Sequence, residues 1–88
     1  NDIYFIEAIK DYVGINTLEK RYIVHSTMKS IKDKLPASDF ARVHRSYIIR
    51  LDKISAIEIP NIIIDHNIKY IPIGNSYKDE LMDKLKLI

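Results

Sequence analysis

Short apolar runs alternate with polar bends along nearly the whole chain, and this pattern constrains the fold more than any other sequence feature. Isoleucine and tyrosine are frequent in these runs, and both residue types favour β-strands. Pro72 cannot donate to a strand ladder, so its run is predicted to lie at a sheet edge. A short polar hairpin loop is predicted between the last two runs, at residues 65–67. The pattern predicts strands over residues 3–6, 12–18, 21–25, 40–43, 47–49, 54–59, 62–64 and 68–73.

Two segments depart from this pattern and predict short helices. Residues 28–35 carry apolar side chains at helical spacing. Either Ser26 or Thr27 is a suitable N-cap for this helix, and its lysines are interpreted as a solvated face. Residues 77–88 show the same spacing, with Ser76 as the predicted N-cap and acidic residues in the first turn. The predicted fold is therefore mostly β with two short helices.

Composition sets limits on the class of protein. Eighty-eight residues suffice for one domain, and 47% apolar with 30% charged residues is ordinary for a globular chain. The net charge of +2 is a weak nucleic-acid signal, so the distribution of charge matters more. The absence of cysteine excludes disulfides and thiolate ligands. No apolar run approaches the roughly 20 residues of a membrane span. Because strand-like sequence follows Asn1 at once, residues 1–88 are interpreted as a single domain excised from a longer protein.

Catalytic and metal-binding patterns are not found. His25, His44 and His66 are far apart and match no zinc or nuclease spacing. Gly14 and Gly74 are the only glycines, which excludes a glycine-rich phosphate loop. We therefore expect no enzymatic activity, no metal site and no cofactor.

Residues 40–52 concentrate hydrogen-bond donors among strand-forming residues. A polar break at residues 44–46 separates two predicted strands and holds donor-rich side chains between rigid elements. Such an arrangement suits an anionic partner with hydrogen-bonding edges, as nucleic acid is. The alternative is that these are solvated arginines around a core histidine. The donors of the stretch are Arg42, His44, Arg45, Ser46, Tyr47 and Arg50.

The sequence FARVHRSYII at residues 40–49 closely resembles the signature segment of the LytTR family of bacterial DNA-binding domains. Further segments resemble the family's opening strand and first loop, its helix, and its closing strand and loop. They follow the family's order and spacing over essentially the whole chain. These segments are residues 2–8 with 11–13, 27–31 with 35–36, and 71–77.

The resemblance implies a fold of three small antiparallel sheets with short helices. It implies sequence-specific binding of double-stranded DNA by three loops inserted into successive grooves along one face of a bent duplex. It also implies the cytoplasmic output domain of a bacterial response regulator in a two-component system, controlling transcription. A receiver or sensor domain would precede it, with no direct membrane contact from this segment. Such domains act as homodimers on paired direct repeats.

The DNA-binding loops implied by the resemblance can be carried over by position. The first loop comprises Lys10, Asp11 and Tyr12, the second His44, Arg45 and Ser46, and the third Asn75, Ser76 and Lys78 after Gly74. The chain departs from the family at two positions. Arg50 stands where the family commonly has asparagine, and Asp11 stands where a neutral or basic residue would contact DNA more easily.

Individual roles follow from side-chain chemistry. Arg45 is expected to contact a guanine edge with both arms of its guanidinium. His44 either donates to a phosphate or supports Arg45. Asp11 either accepts from a cytosine amino group or caps its own turn, and Asn75 either reads adenine or occupies a left-handed turn position. Arg42 is expected to pair with a carboxylate. Phosphate contacts are expected from Lys10, Ser46, Ser76 and Lys78.

Two other functions fit the residues less well. One is a protein-interaction module in which the basic stretch 42–53 meets an acidic partner. The other is a small RNA-binding β-domain, although the tyrosines alternate too irregularly to form an exposed stacking platform. Salt-sensitive binding is expected for a DNA-binding domain, whereas affinity that stays flat from low to moderate salt would favour the protein-interaction module.

Overall fold

The computed structural model describes residues 3–64 and 69–86, which are mostly strand. The predicted hairpin loop at 65–67 lies outside the described residues. No helix of the described part is long and apolar enough to cross a membrane. The elements are β1 (Ile3–Ile9), β2 (Tyr12–Thr17), β3 (Arg21–His25), α1 (Met28–Asp33), β4 (Phe40–His44), β5 (Tyr47–Arg50), β6 (Ile54–Glu58), β7 (Asn61–Ile64), β8 (Lys69–Pro72) and α2 (Lys78–Lys86), with 3₁₀ turns at Leu51–Lys53 and Asn75–Tyr77.

The described strands form two antiparallel sheets. The larger has five strands in the order β3-β2-β1-β5-β4, and the smaller has three in the order β6-β7-β8. The resemblance implied three sheets. The structure has two because β1 pairs with both β2 and β5, which joins two hairpins into one sheet. Strand β8 lies at an edge, as Pro72 predicted.

Strand β1 is longer than the sequence pattern predicts. A polar bend was expected directly after residue 6, but the strand continues to Ile9, and the chain turns only at Lys10, whose φ is 53°. Glu7 remains in the strand because its carboxylate pairs with Arg21 at 2.9 Å, across the intervening strand β2. A Cβ at Gly14 would lie 2.9 Å from the Arg21 Nε atom, so a larger residue at this position would require the Arg21 side chain to shift.

One apolar core lies between the two sheets and α2. Phe5 and Ile49 of the larger sheet are buried with Ile62 and Ile71 of the smaller sheet and with Leu81 of α2. The continuous apolar run predicted for β1 has no solvated face. Phe5 belongs to this core, and the next residue, Ile6, is buried on the other side of the sheet. The packing fixes the smaller sheet and α2 against the larger sheet.

A second apolar core joins α1 to the larger sheet. Ile6, Val13 and Ile48 are buried there with Met28 of α1. The predicted stripe of α1 therefore faces the sheet, as its helical spacing indicated. Of the two candidate N-caps, Thr27 is the one used, since its Oγ1 accepts from the backbone N–H of Ser30 at 3.0 Å.

The start of the last helix differs from the prediction. Ser76 is not an N-cap, because the 3₁₀ turn Asn75–Tyr77 runs directly into α2 and moves the cap position back to Gly74. The helix is held further along by Lys84. Its Nζ donates to the carbonyls of Ala37 and Phe40, both at 2.9 Å, and so ties α2 to the beginning of β4.

Candidate nucleic-acid interface

The second predicted loop is the tip of the β4–β5 hairpin. His44 pairs with Tyr47, which leaves a two-residue turn, and Arg45 is exposed in that turn. The backbone N–H of Ser46 donates to His44 Nδ1 at 3.1 Å. Because Nδ1 accepts, the neutral imidazole carries its proton on Nε2. His44 thus braces the turn and retains a second nitrogen that can donate to a ligand.

The first loop is tied to this hairpin through the end of β1. The backbone N–H of Ala8 donates to the carbonyl of Ser46 at 2.9 Å, two residues before the turn that begins at Lys10. Lys10, Asp11 and Tyr12 are all exposed, and the Tyr12 ring contacts the His25 ring at 5.1 Å between centroids. Within residues 3–64 and 69–86, the Asp11 carboxylate makes no hydrogen bond to its own turn.

The third loop is tied to the same hairpin from the other side. The backbone N–H of Gly74 donates to the carbonyl of Val43 at 2.7 Å. A Cβ at Gly74 would lie 3.6 Å from the Cα of His44 and only 3.1 Å from the ring of Tyr77. Glycine therefore leaves room for the Tyr77 ring within the third loop, whereas the distance to His44 would be an ordinary contact for any side chain.

The exposed residues of the third loop are Asn75, Ser76 and Lys78. Asn75 does not occupy a left-handed position, because Lys10 is the one non-glycine residue with positive φ among those described. Asn75 instead begins the 3₁₀ turn, where its side chain is exposed to solvent. The predicted left-handed turn position is therefore wrong, and the contact of Asn75 with adenine stays a prediction.

Arg42 connects the second and third loops. Its Nη2 donates to the carbonyl of Arg45 at 2.6 Å, and its Nε donates to the carbonyl of His44 at 3.4 Å. The same guanidinium lies over the ring of Tyr77, 5.7 Å from the centroid. The expected pairing with a carboxylate is therefore wrong. The turn carbonyls lie within reach of this side chain, and they take the place of an acidic partner.

Two further basic residues of the stretch 42–53, Arg50 and Lys53, also have partners. Arg50 pairs with Asp52 at 3.1 Å, and its guanidinium lies 5.9 Å from the centroid of the Phe40 ring. Lys53 lies over the ring of Tyr4 at 4.8 Å. Arg45 is the one exposed arginine or lysine of this stretch, all of which the structure describes. The sequence pattern of a basic strip therefore does not correspond to a basic surface.

A cleft beside the first loop contains basic residues that the sequence analysis missed. It has a volume of about 510 Å³ and lies between the first loop and the start of α1. Lys10, Tyr12 and Arg42 line it together with His25 and Lys29. The register of β2 with β3 places His25 beside Tyr12, and the packing of α1 on the larger sheet places Lys29 near them. Knowledge of that register and of that packing would have identified His25 and Lys29 as candidate contacts.

Metal binding finds no support in the described ranges, where no three histidine or acidic side chains are grouped to hold an ion. The geometry is instead that of three polar loops around one hairpin tip, with exposed donors on each loop.

A sequence model of the LytTr DNA-binding domain matches residues 1–86. The chain belongs to the LytTr DNA-binding domain family. This membership confirms the resemblance noted from residues 40–49 and its flanking segments. The family consists of DNA-binding domains of regulators, so the expectation that the chain is not an enzyme is also confirmed.

Relatives of this LytTr domain include sensory transduction proteins and a transcriptional regulatory protein. The sensory transduction protein LytT of Bacillus subtilis (strain 168) is 33% identical over 98% of this chain, and LytT of Bacillus anthracis is 30% identical over the same share. The transcriptional regulatory protein YpdB of Escherichia coli (strain K12) is 38% identical over 66% of the chain. The chain spans 37% of the length of the two LytT proteins, and its match covers 24% of YpdB.

The fold is that of a solved relative. A LytTr DNA-binding domain from Bacillus cereus superposes with a TM-score of 0.82 at 22% identity, covering 96% of this chain and 81% of that chain. The predicted fold class, mostly β with two short helices and small antiparallel sheets, is confirmed.

Proposed function

We propose that this LytTr domain binds double-stranded DNA sequence-specifically by inserting its three loops into successive grooves of one duplex. One observation carries the proposal: all three loops are tied to a single hairpin tip. Ala8 bonds the first loop to Ser46, and Gly74 bonds the third loop to Val43. The bases of the three loops therefore lie close together, which supports contact of all three with a single duplex.

Base reading is assigned to the side chains that are exposed and free to meet a base edge. Arg45 projects from the hairpin turn, and its planar guanidinium suits a two-point contact to guanine. Tyr12 is exposed on the first loop, and Asn75 is exposed on the third loop. Asp11 can accept from a cytosine amino group, since it makes no bond to its own turn within the described ranges.

Phosphate contacts are assigned to the residues that surround these readers. His44 can donate through Nε2, because Nδ1 is already bonded to the backbone of Ser46. The cleft between the first loop and α1 adds His25 and Lys29. The other phosphate contacts proposed are Lys10, Ser46, Ser76 and Lys78, of which all but the half-buried Ser46 are exposed.

We further propose that the domain is the output part of a longer regulator of transcription. Its relatives include a sensory transduction protein and a transcriptional regulatory protein, and the chain corresponds to 37% of the first. A receiver or sensor domain would precede it, and two copies would bind paired direct repeats as a homodimer on DNA. The site of action would be the cytoplasm, without direct membrane contact from this segment.

The protein-interaction alternative loses its main support. It required an exposed basic stretch at 42–53, but Arg42 bonds to turn carbonyls and Arg50 pairs with Asp52. The RNA alternative is disfavoured too, since the exposed Tyr70 lies in a different sheet from Tyr12 and Tyr22. Tyr22 pairs with Ile15, whose side chain points to the opposite face of β2 from that of Tyr12, so these two tyrosines do not form one platform.

Binding-site selection from a random duplex pool tests the proposal. We expect enrichment of a repeated motif, with affinity falling as salt rises, at about −0.9 log units per log unit of salt for each phosphate contacted. A pool that stays random after repeated selection, or an affinity that is flat from low to moderate salt, would overturn it.

A further inference from the structure

We propose that Arg42 is a positioning residue, which holds the Arg45 turn and the third loop in one arrangement and thereby sets base discrimination. The inference rests on the proposed DNA-binding function and adds a residue that neither the family resemblance nor the basic pattern assigned to it. Arg42 need not contact a base. It would act through the two loops that do.

The first contact of Arg42 fixes the shape of the hairpin turn. Its guanidinium donates to the carbonyl of Arg45, within the turn, at 2.6 Å and to the carbonyl of His44, directly before it, at 3.4 Å. The ladder between β4 and β5 shifts its register between Arg42 and His44, so the strand bends just before the turn, where Arg42 donates. A charged donor on the carbonyl of Arg45 restrains the backbone from which the Arg45 side chain projects.

The second contact of Arg42 reaches the third loop. The guanidinium lies 5.7 Å from the centroid of the Tyr77 ring, within the range of a cation–π contact. Tyr77 closes the 3₁₀ turn that presents Asn75, and Lys78 follows it directly. One side chain therefore bridges a proposed base reader on the second loop and a proposed phosphate contact on the third.

The chemistry of this bridge requires arginine. A guanidinium is planar and carries five N–H donors in a fixed fork, so it can bond two carbonyls in its plane while its face rests on an aromatic ring. A lysine ammonium is a point charge with no plane to stack. The substitution Arg42→Lys therefore keeps the charge and removes the geometry, which separates a positioning role from a direct phosphate contact.

Amide hydrogen exchange on the free protein tests the positioning without DNA. In Arg42→Lys we expect exchange at residues 44–46 and 74–77 to accelerate at least about threefold, with β1 and β7 unchanged. Arg50→Lys is the matched control, because Arg50 lies on the same hairpin but pairs with Asp52 away from the tip. Unaltered exchange at both loops in Arg42→Lys, or equal acceleration in Arg50→Lys, would overturn the inference.

Binding to the selected duplex tests the consequence. For Arg42→Lys we expect about a tenfold loss on the selected sequence, little change on random duplex, and an unchanged salt slope. Combined with Arg45→Ala, Arg42→Lys should cause little further loss, because it acts largely through the same turn. Wild-type affinity of Arg42→Lys, or an equal loss on both duplexes, would contradict the positioning role.

A second pair of variants tests the other half of the bridge. Tyr77→Phe keeps the ring and is expected to bind as the wild type, whereas Tyr77→Leu removes it and should weaken selected-sequence binding. Circular dichroism confirms folding of each variant, and if Arg42→Lys does not fold, this pair decides the matter. Equal binding by Tyr77→Phe and Tyr77→Leu would overturn the proposed role of the contact between Arg42 and the Tyr77 ring. Failure of the wild type to discriminate sequences would overturn the proposed function, while the exchange experiment would still decide the positioning.

Discussion

The interior between the two sheets and the end that carries the three loops are stabilised in different ways. The interior is apolar, and Ile49, Ile62 and Ile71 are each 0% exposed there. The loop end is held by individual polar bonds, such as Ala8 to Ser46 and Gly74 to Val43. Burial contributes most of the stability, and directional bonds determine where the loops lie.

This difference has a physical basis. Full burial of an isoleucine contributes about 1.5–3 kcal/mol but does not depend on direction. A hydrogen bond contributes about 0.5–1.5 kcal/mol net, yet it requires a defined distance and angle. Stability and recognition should therefore be separable by mutation. Substitutions in the interior should unfold the domain, and substitutions on the loops should change binding while the fold persists.

The largest effect is expected in the interior. Ile49→Ala should lower the free energy of unfolding by about 2–5 kcal/mol, because it removes contacts on a central strand and leaves a cavity. Ile23→Ala is the control, since Ile23 lies in the same sheet but is 54% exposed, and its loss should be about 1 kcal/mol or less. Urea denaturation measures both. Similar losses would mean that the interior is not the main source of stability.

The next effect concerns the helix that presents the third loop. Lys84→Met keeps the aliphatic stem but leaves the carbonyls of Ala37 and Phe40 without their donor, so we expect a loss of about 1–3 kcal/mol in unfolding free energy. Lys34→Met, at an exposed position after α1, should change it by about 0.5 kcal/mol or less. If the two substitutions cost the same, the anchor between α2 and β4 contributes nothing.

For a residue on the loops, we expect a change in DNA affinity and no change in the free energy of unfolding. Arg45→Ala should weaken binding to the selected duplex by about 1–3 kcal/mol and relax preference at one base pair. The urea midpoint should stay within error of the wild type, because Arg45 is exposed. Fluorescence anisotropy with selected and random duplexes measures the change. Equal weakening on both duplexes would argue against base reading.

The smallest effect is expected for a single phosphate contact. Lys78→Ala should weaken binding to all sequences similarly and reduce the log–log salt slope by about one unit. Lys20→Ala provides the control, because Lys20 is an exposed lysine in the turn between β2 and β3, at the end of that hairpin away from Tyr12. A loss that is confined to the selected sequence would instead indicate that Lys78 reads a base.

Local patterns predicted the elements well where the side chains had a clear period. The apolar runs gave strands β2 and β3 within a residue, and the spacing of Met28 and Ile31 gave α1. The predictions were wrong where a partner distant in sequence decided the outcome. Arg21 is such a partner, because it keeps Glu7 inside β1. The error at Ser76 has a different cause, since the local 3₁₀ turn moves the cap position to Gly74.

The candidate loops could be named from the sequence, but their arrangement could not. The resemblance at residues 40–49 and its flanks assigned three loops, and the structure brings them around one hairpin. The cleft that adds His25 and Lys29 depends on the register of β2 with β3 and on the packing of α1 against the larger sheet. Nothing in the local sequence specifies that register or that packing.

The sequence by itself determined which segments are strands, which are helices and which polar bends carry donors, because periodicity and capping act between near neighbours along the chain. Only the tertiary structure decided that β1 joins two hairpins into one sheet and that Arg42 bonds turn carbonyls beneath the ring of Tyr77. Packing of the two apolar cores brings such strands and side chains together. Which of them pair therefore depends on their distance in space and not on their separation along the chain.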